Sequence, residues 1–458
     1  MQHPKVVVIG AGSLFFGRQA IWQMTQSEHL QTGTLSLVDR DPVILARMKT
    51  LADNAVAHAG VSLHIEVSTD AREVLPDSDF VVLSFADRSV RFRGIDCELS
   101  EKYGIRMCSG DTIGPGGIMR TLREFPHILS YCRDIEDLCP DAWVINYINP
   151  TAANGIGMRI FAPKLKSFAL CDGLHMPHVK RNYAQRADIV GEGKALTPEQ
   201  DAKFDFRIAG PNHFTWLLKA EYDGKDKTPI IADKLRTQAA SETDGGDKGA
   251  KAAFNAAVSH ELYKAFGYVP TCVAHTKEYV RFWQGLNHTP ETVPPLSIWE
   301  TGDRYERHAE MFREVDGYNL GVEPMDTFFK KHGPDHATDI IETMWAGLTK
   351  PFFINTANAG TVPNMPEDAF LELLCDVNMD GPAPRPVGNA PVGLRGLWQQ
   401  VLDTHELTAR AAVEQDRDLL LRAFVCDPLV SSLSDARALM NELLEAEKDA
   451  LPDAWFPA

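Results

Sequence analysis

The chain has 458 residues, of which 44% are hydrophobic and 24% charged, an ordinary globular composition. Its net charge of −17 argues against nucleic-acid backbones and anionic membranes as partners, and no apolar stretch approaches the ~20 residues that a membrane span needs. Eight scattered cysteines form no zinc ribbon or disulfide framework, and the first predicted strand begins too early for a secretory signal, so we expect a cytoplasmic protein.

The first half of the chain alternates strand-like and helix-like segments. Helices are predicted between the strands, for example over 41–59 and 121–138. This alternation is typical of an α/β fold with a doubly wound parallel sheet. Because the glycine-rich turn Gly10-Ala11-Gly12-Ser13 follows its first strand, we predict a Rossmann-type NAD-binding domain over residues 1–200, similar to that of lactate and malate dehydrogenases. The predicted strands lie at 5–9, 34–38, 63–67, 79–85, 143–147 and 166–170.

Beyond residue 200 the spacing of apolar residues becomes mostly helical. We predict a largely α, α+β domain over 201–458, with some antiparallel strand, which binds substrate and metal and forms a homodimer or homotetramer. The polar, glycine-rich stretch 241–249 predicts a mobile surface loop or lid. The predicted helices lie at 250–266, 303–315, 337–348, 393–425 and 433–450.

A glycine-rich turn follows the first predicted strand, in the order Gly10-Ala11-Gly12-Ser13. Its glycines allow the backbone to turn tightly and approach a pyrophosphate at the start of the next helix. The second strand ends at Asp39, which suits an acid that binds a ribose diol and repels a 2′-phosphate, so NAD is favoured over NADP. Phe15 replaces the third glycine of G-x-G-x-x-G, and the turn alone also fits a strand-turn-helix without a ligand.

Two later segments each carry one soft metal ligand. Cys171 follows a predicted strand in Phe168-Ala169-Leu170-Cys171-Asp172-Gly173, and His213 lies in Gly210-Pro211-Asn212-His213-Phe214. A nicotinamide next to a Cys/His-held ion favours oxidation of a hydroxyl that the ion polarises. Each residue also has a purely structural explanation, since Cys is a common small core residue and His a common hydrogen-bonded one.

Several motifs in one order resemble the NAD- and Mn²⁺-dependent glycosidases of glycoside hydrolase family 4, over nearly the whole chain. This resemblance implies that NAD oxidises carbon 3 of a sugar, a base removes the carbon-2 proton, the glycosidic oxygen leaves by elimination, water adds, and NADH reduces carbon 3 again. The motifs are Gly10-Ala11-Gly12-Ser13, Gly110-Asp111-Thr112-Ile113-Gly114-Pro115-Gly116-Gly117, Asn146-Tyr147-Ile148-Asn149-Pro150, Cys171-Asp172, Asn212-His213, Asn355-Thr356-Ala357-Asn358-Ala359-Gly360, Glu406-Leu407-Thr408 and Asp427-Pro428-Leu429.

The resemblance also assigns roles to individual residues. Cys171 and His213 match the metal ligands, although such ligands usually hold zinc or iron better than Mn²⁺, so the identity of the metal rests on the resemblance. Asn149 matches a residue at the substrate hydroxyls and the cofactor, where a turn-initiating Asn-Pro is the alternative. Asn212 contacts substrate or orients His213. Asp172 protonates the leaving oxygen if burial raises its pKa; the alternative is a carboxylate that supports the metal ligands without contacting the metal.

The carbon-2 base departs from the family pattern. Relatives place a Tyr or Asp after a Gly-aromatic-x-Pro stretch, but residues 267–275 contain neither at the expected position. His275 is our prediction for the base, because an unperturbed imidazole has a pKa near neutrality, and Tyr263 and Tyr268 are the alternatives.

The substrate prediction rests on the same motifs. The Gly-Ala-Gly-Ser turn and the Cys171 segment resemble subgroups acting on unphosphorylated α-galactosides, α-glucosides or uronides. His175 and His178 are candidate substrate contacts, with solvated helix-start residues as the alternative. A uronide would need a basic clamp, for which the candidates are Arg91, Arg93, Arg120 and Arg281.

Two other functions fit parts of the sequence. An NAD-dependent hydroxy-acid dehydrogenase has a related fold, but it gives no reason for Cys171 and His213. A catalytically silent protein that binds NAD or sugar would explain the missing Tyr or Asp base.

Overall fold

A computed structural model describes residues 3–13, 16–86, 88–107, 109–171, 173–241, 246–272, 275–284 and 301–456. One mixed sheet of thirteen strands organises these residues. No helix among them combines the length and the apolarity that crossing a bilayer requires.

The first half of the chain forms the predicted parallel sheet. Its strands run in the order β3-β2-β1-β4-β5-β6, which is the Rossmann order, and adjacent pairs are parallel. The doubly wound α/β fold and all six predicted strands are therefore confirmed. The strands are β1 Lys5–Ile9, β2 Thr34–Val38, β3 His64–Ser68, β4 Phe80–Leu83, β5 Trp143–Asn146 and β6 Lys166–Ala169.

An antiparallel half extends the same sheet beyond β6. The link is a single antiparallel pairing between Ala169 of β6 and Asn355 of β11, after which the order continues β12-β7-β8-β10. The predicted antiparallel strands are thus present, and the boundary near residue 200 stays a prediction because the sheet crosses it. These strands are β7 Phe204–Gly210, β8 Trp216–Tyr222, β9 Lys225–Asp226, β10 Val269–Pro270, β11 Pro351–Ala357, β12 Phe370–Asn378 and β13 Gly381–Pro384.

Helices cover both faces of the parallel strands. Alternate residues of β1 point to opposite faces: Val6 and Val8 join one hydrophobic core, whereas Val7 and Ile9 join the other. The helices are α1 Gly17–Gln26, α2 Pro42–Ala59, α3 Ser89–Glu101, α4 Gly114–Leu138, α5 Thr151–Phe161, α6 His178–Arg186, α7 Pro198–Lys203, α8 Thr228–Ser241, α9 Gly246–Phe266, α10 Thr301–Asn319, α11 Met325–Lys331, α12 His336–Ala346, α13 Val392–Glu414, α14 Arg417–Cys426 and α15 Leu433–Ala446.

Two helix predictions and one loop prediction need correction. Helix α4 begins seven residues before the predicted start at 121, because Gly116 and Gly117 let its first turn pack closely on the preceding segment. A Cβ on Gly116 would lie 2.4 Å from the Gly110 carbonyl oxygen, and one on Gly117 would lie 2.8 Å from the Thr112 carbonyl carbon. The helix predicted over 393–425 is two helices, since Gln415 adopts a left-handed φ of 54° and Asp416 caps α14. Of the predicted loop 241–249, residues 246–249 belong to α9, while 242–245 lie outside the described residues.

Candidate active site

The glycine-rich turn after β1 packs against the ends of two neighbouring strands. Gly10 has a φ of +95°, and a Cβ there would lie 2.2 Å from the carbonyl oxygen of Ser84, at the end of β4. The Gly12 N–H donates to Oδ2 of Asp39 at 2.9 Å, and the Ser84 hydroxyl lies 3.0 Å from that of Ser13. The four predicted cofactor residues Gly10, Gly12, Ser13 and Asp39 therefore lie together at the carboxyl edge of the sheet.

The pattern G-x-G-x-x-G places its third glycine at position 15. The glycine that packs closely against the turn is instead Gly17, two residues later. A Cβ on Gly17 would lie 1.9 Å from the Ala11 carbonyl oxygen and 2.9 Å from the Met48 side chain. Gly17 is the first residue of α1, so this helix begins directly against the turn. Phe15, which occupies the expected glycine position, lies outside the described residues.

The two predicted metal ligands meet at the carboxyl end of β6. Cys171 is 8% exposed and follows β6, while His213 is 7% exposed in the turn between β7 and β8. Cys171 Sγ lies 3.6 Å from each imidazole nitrogen of His213. A sulfur and a nitrogen bound tetrahedrally to one ion at about 2.3 and 2.0 Å lie about 3.5 Å apart, so the pair has a suitable separation for shared coordination.

The electrostatic surroundings of this pair also suit a cation. Burial alone would lower the pKa of His213, but Cys272, Glu372 and Asp111 outweigh it and raise that pKa to about 9. The ionised Asp111 carboxylate, and the Glu372 carboxylate when it is ionised, would favour a divalent ion at this position as they favour an imidazolium. Within the described ranges, no group of three or more His, Cys, Asp or Glu side chains is arranged to hold a metal ion.

The predicted base lies against His213. The rings of His275 and His213 have centroids 4.2 Å apart, and His275 Nδ1 is 3.5 Å from the Glu278 carboxylate. Burial, and then the neighbouring His213, lower the pKa of His275, so it is a neutral imidazole near pH 7. The alternatives lie elsewhere: Tyr263 packs on His260 and Tyr268 against the hydrophobic core. The predicted acid Asp172 falls outside the described residues.

A buried carboxylate contacts Asn149 and interacts electrostatically with His275. Asn149 follows β5, donates from Nδ2 to Asp111 Oδ2 at 3.4 Å, and accepts from the Thr151 hydroxyl at 2.8 Å. Burial alone would raise the pKa of Asp111, but Arg93 and Arg120 outweigh it and hold that pKa well below its usual range. Asp111 is therefore a fixed negative charge and carries no exchangeable proton at neutral pH.

Of the four candidate clamp residues, Arg93 and Arg120 converge on one carboxylate, whereas Arg91 and Arg281 do not join them. Arg93 and Arg120 are buried and contact Asp111 Oδ2 at 3.2 and 2.7 Å. Arg91 is half-exposed and pairs with Asp449 on the far side of α3, while Arg281 is an exposed residue of a short 3₁₀ turn.

The remaining predicted contacts lie on either side of the Cys171–His213 pair. Asn212 is buried, with Nδ2 3.5 Å from Glu372 of β12. His175 packs on His336, whose Nδ1 lies 3.2 Å from the Cys171 carbonyl oxygen, and His178 packs on the other side of His175.

Several residues of this site had no assigned role at the sequence level. They are Asp111, Cys272, Glu278, His336 and Glu372. Asp111 was identifiable because it belongs to the Gly110–Gly117 motif, whereas the others carry no local sequence signal. Burial raises the pKa of Glu372 to about 7, only partly offset by His213 and Asn212. Together, the fold and these side chains define a Rossmann-type protein with a thiol–imidazole pair at the ligand-binding edge of its sheet.

Comparison with known proteins gives the family. Residues 5–182 match the family 4 glycosyl hydrolases, and residues 208–430 match the C-terminal domain of the same family. The chain therefore belongs to glycosyl hydrolase family 4 and is an enzyme of the glycosidase class, as the sequence motifs predicted.

Relatives within the family differ in the substrates that their names state. A probable 6-phospho-beta-glucosidase of Bacillus subtilis (strain 168) is 30% identical, over 98% of this chain and 97% of that protein. An alpha-galactosidase of the same organism is 29% identical, over 98% and 99%. An alpha-galacturonidase of Thermoanaerobacterium saccharolyticum is 28% identical, over 98% and 97%. The family is thus shared, while the sugar is not fixed by these likenesses.

A solved structure shares the fold along its whole length. The 6-phospho-alpha-glucosidase from gut microorganisms, determined in complex with NAD and Mn²⁺, has a TM-score of 0.78 and 20% identity, and the match covers 98% of this chain and 99% of that one. That relative therefore holds both cofactors on the fold described above.

Proposed function

We propose that this protein hydrolyses an unphosphorylated, α-linked glycoside with the help of NAD and a divalent metal, Mn²⁺ by resemblance. The reaction comprises oxidation at carbon 3, loss of the carbon-2 proton, elimination of the aglycone, addition of water and reduction at carbon 3. The observation that carries the proposal is the Cys171–His213 pair, 3.6 Å apart, on the same sheet edge as the glycine-rich turn. The relative that contains both NAD and Mn²⁺ supports it.

The cofactor-binding residues in this proposal are Gly10, Gly12, Ser13 and Asp39 for NAD, and Cys171 with His213 for the metal. When bound, NAD accepts and returns a hydride, and the ion offsets negative charge on the substrate oxygens. The Asn149 amide, held by Thr151 and Asp111, binds ring hydroxyls and the cofactor; Asn212 and His175 bind the substrate from the metal side.

Two residues carry out the proton transfers in this proposal. His275 removes the carbon-2 proton, since its lowered pKa leaves a nitrogen lone pair available near neutral pH, and Glu278 holds the ring in place. Asp172 protonates the departing oxygen. Asp111 supplies a permanent negative charge that stabilises the imidazolium formed on His275.

The charge pairing beside Asn149 supports a neutral sugar. Arg93 and Arg120 both contact Asp111, and Arg120 Nε lies 3.9 Å from Glu124. Because these buried guanidinium groups already have carboxylate partners, an anionic sugar gains less there than it would at an arginine clamp. This argument favours neutral α-glycosides over uronides and 6-phosphosugars.

A turnover assay with limiting NAD tests the proposal. Purified protein with Mn²⁺ and sub-stoichiometric NAD is incubated with aryl α-galactoside, α-glucoside, α-galacturonide and 6-phospho-glucosides. We expect many turnovers per NAD on a neutral α-glycoside, without net NADH. NADH accumulating in step with product would instead indicate the dehydrogenase, and turnover of only the anionic sugars would refute the neutral-sugar assignment.

Isotope exchange at carbon 2 tests the mechanism separately. Product formed in D₂O should carry deuterium at carbon 2, and His275→Ala should suppress this exchange while leaving NAD affinity unchanged. Wild-type exchange in His275→Ala would transfer the base role to another group. A carbon-2 deuterated substrate in H₂O serves as the control, because direct return of the abstracted proton would retain its label.

A further inference from the structure

Cys272 is brought to the metal ligands by strand pairing. Strand β10 pairs with the start of β8 through Val269↔Leu217 and Pro270↔Trp216. The pairing continues one residue further, where the Thr271 N–H donates to the Thr215 carbonyl oxygen at 3.0 Å. Cys272 is the next residue, so the same register places it opposite Phe214, directly beside His213 in the turn that leads into β8.

The Cys272 thiol distinguishes the two nitrogens of His213. Cys171 Sγ is 3.6 Å from both nitrogens and so does not select between them. Cys272 Sγ lies 3.2 Å from Nδ1, which is the shortest sulfur contact of this imidazole among the described residues. When one ring nitrogen of a metal-binding histidine donates its N–H to a neighbour, the lone pair of the other nitrogen is fixed for the ion.

The rest of the ring is already confined. His275 packs on one face of His213 at a centroid distance of 4.2 Å, and His213 itself has a left-handed φ of 60°. A hydrogen bond at Nδ1 adds a directional restraint on the ring that packing against one face does not supply.

We propose that Cys272 is the positioning residue of the metal site: its sulfur accepts the Nδ1–H of His213 and presents Nε2 to the ion beside Cys171. This inference rests on the proposed function, which supplies the ion. A thiol is an unusual partner for this task, because most metal-binding histidines use a carboxylate or a backbone carbonyl. The role is one of orientation, and Cys171 is the single thiolate ligand.

Metal binding by the holoenzyme tests this role without relying on activity. Mn²⁺ and Co²⁺ affinities are measured for wild type, Cys272→Ala and Cys272→Ser. Cys426→Ala is the matched control, because the Cys426 thiol lies between α13 and α14, where it contacts the Gln400 carbonyl oxygen and the Thr404 hydroxyl. We expect Cys272→Ala to weaken metal binding by about 10- to 100-fold. Cys272→Ser should lose much less, since a hydroxyl also accepts the Nδ1–H, and Cys426→Ala should bind as wild type.

The near-ultraviolet thiolate-to-Co²⁺ charge-transfer band provides the second readout. Its intensity per bound Co²⁺ follows the number of coordinated thiolates, so both Cys272 variants should match wild type. Half the intensity in Cys272→Ser would make Cys272 a ligand and overturn the positioning role, as would wild-type affinity in Cys272→Ala or equal losses in the Ser and Ala variants. If wild type itself binds no Co²⁺, or Cys171→Ser leaves the band unchanged, the proposed metal site fails instead.

Discussion

Replacing Gly10 by alanine tests how the glycine-rich turn builds the dinucleotide site. A Cβ at this position would lie 2.2 Å from the Ser84 carbonyl oxygen, whereas ordinary contacts begin near 3.4 Å. The turn or the end of β4 must therefore move by about 1 Å, because the obstructing atoms belong to the backbone. The left-handed φ of +95° adds about 1–2 kcal/mol of strain for any side chain.

The displacement gives the expected magnitude. A misplacement of about 1 Å at a binding or catalytic geometry costs on the order of 100-fold, equivalent to about 2.7 kcal/mol. We therefore expect Gly10→Ala to weaken NAD binding about 100-fold, measured by isothermal titration calorimetry. Its midpoint of thermal unfolding should fall as well.

Gly60→Ala separates backbone strain from the clash. Gly60 also has a left-handed φ, of +66°, but a Cβ there meets nothing within 4 Å. This control should lose stability from strain alone and bind NAD as wild type does. Wild-type NAD affinity in Gly10→Ala, or an equal loss in both variants, would refute the close-approach argument.

Three further substitutions test the site and its support. Cys171→Ser should abolish turnover and leave the unfolding midpoint almost unchanged, because a catalytic ion contributes little to folding; a large loss of stability would contradict this. Asp111→Asn leaves Arg93 and Arg120 without their shared buried carboxylate, so it should lower the free energy of unfolding in denaturant by about 3–5 kcal/mol. A decrease below about 1 kcal/mol would contradict this prediction. Burial raises the pKa of Asp427 to about 7, despite N–H donors from Leu429 and Gly114, so the folded state keeps a proton that the unfolded chain loses above about pH 4. Stability therefore falls as pH rises from about 4 to 7, and Asp427→Asn should reduce that slope in thermal melts at several pH values; an unchanged slope would place the proton elsewhere.

The sequence by itself determined the features that local patterns encode. Short β-branched runs such as Val6–Ile9 predict the six parallel strands, because strands buried on both faces read as continuous apolar segments. The turn at Gly10 and the acid at Asp39 follow from the spacing that a dinucleotide requires. Motifs such as Cys171-Asp172 and Asn212-His213 gave the family through resemblance, because their order can be read along the chain without knowing which residues are in contact.

Only the tertiary structure decided which residues that are far apart in the sequence are in contact. Cys272 lies 59 residues from His213, and only the register of β10 against β8 brings its thiol to Nδ1. Glu372 reaches Asn212 because β12 pairs with β7, and Gly17 replaces the expected third glycine because α1 begins directly against Ala11. Each of these contacts depends on how strands and helices are placed against one another, and a hydrophobic pattern read along one segment carries no information about its neighbours across the sheet.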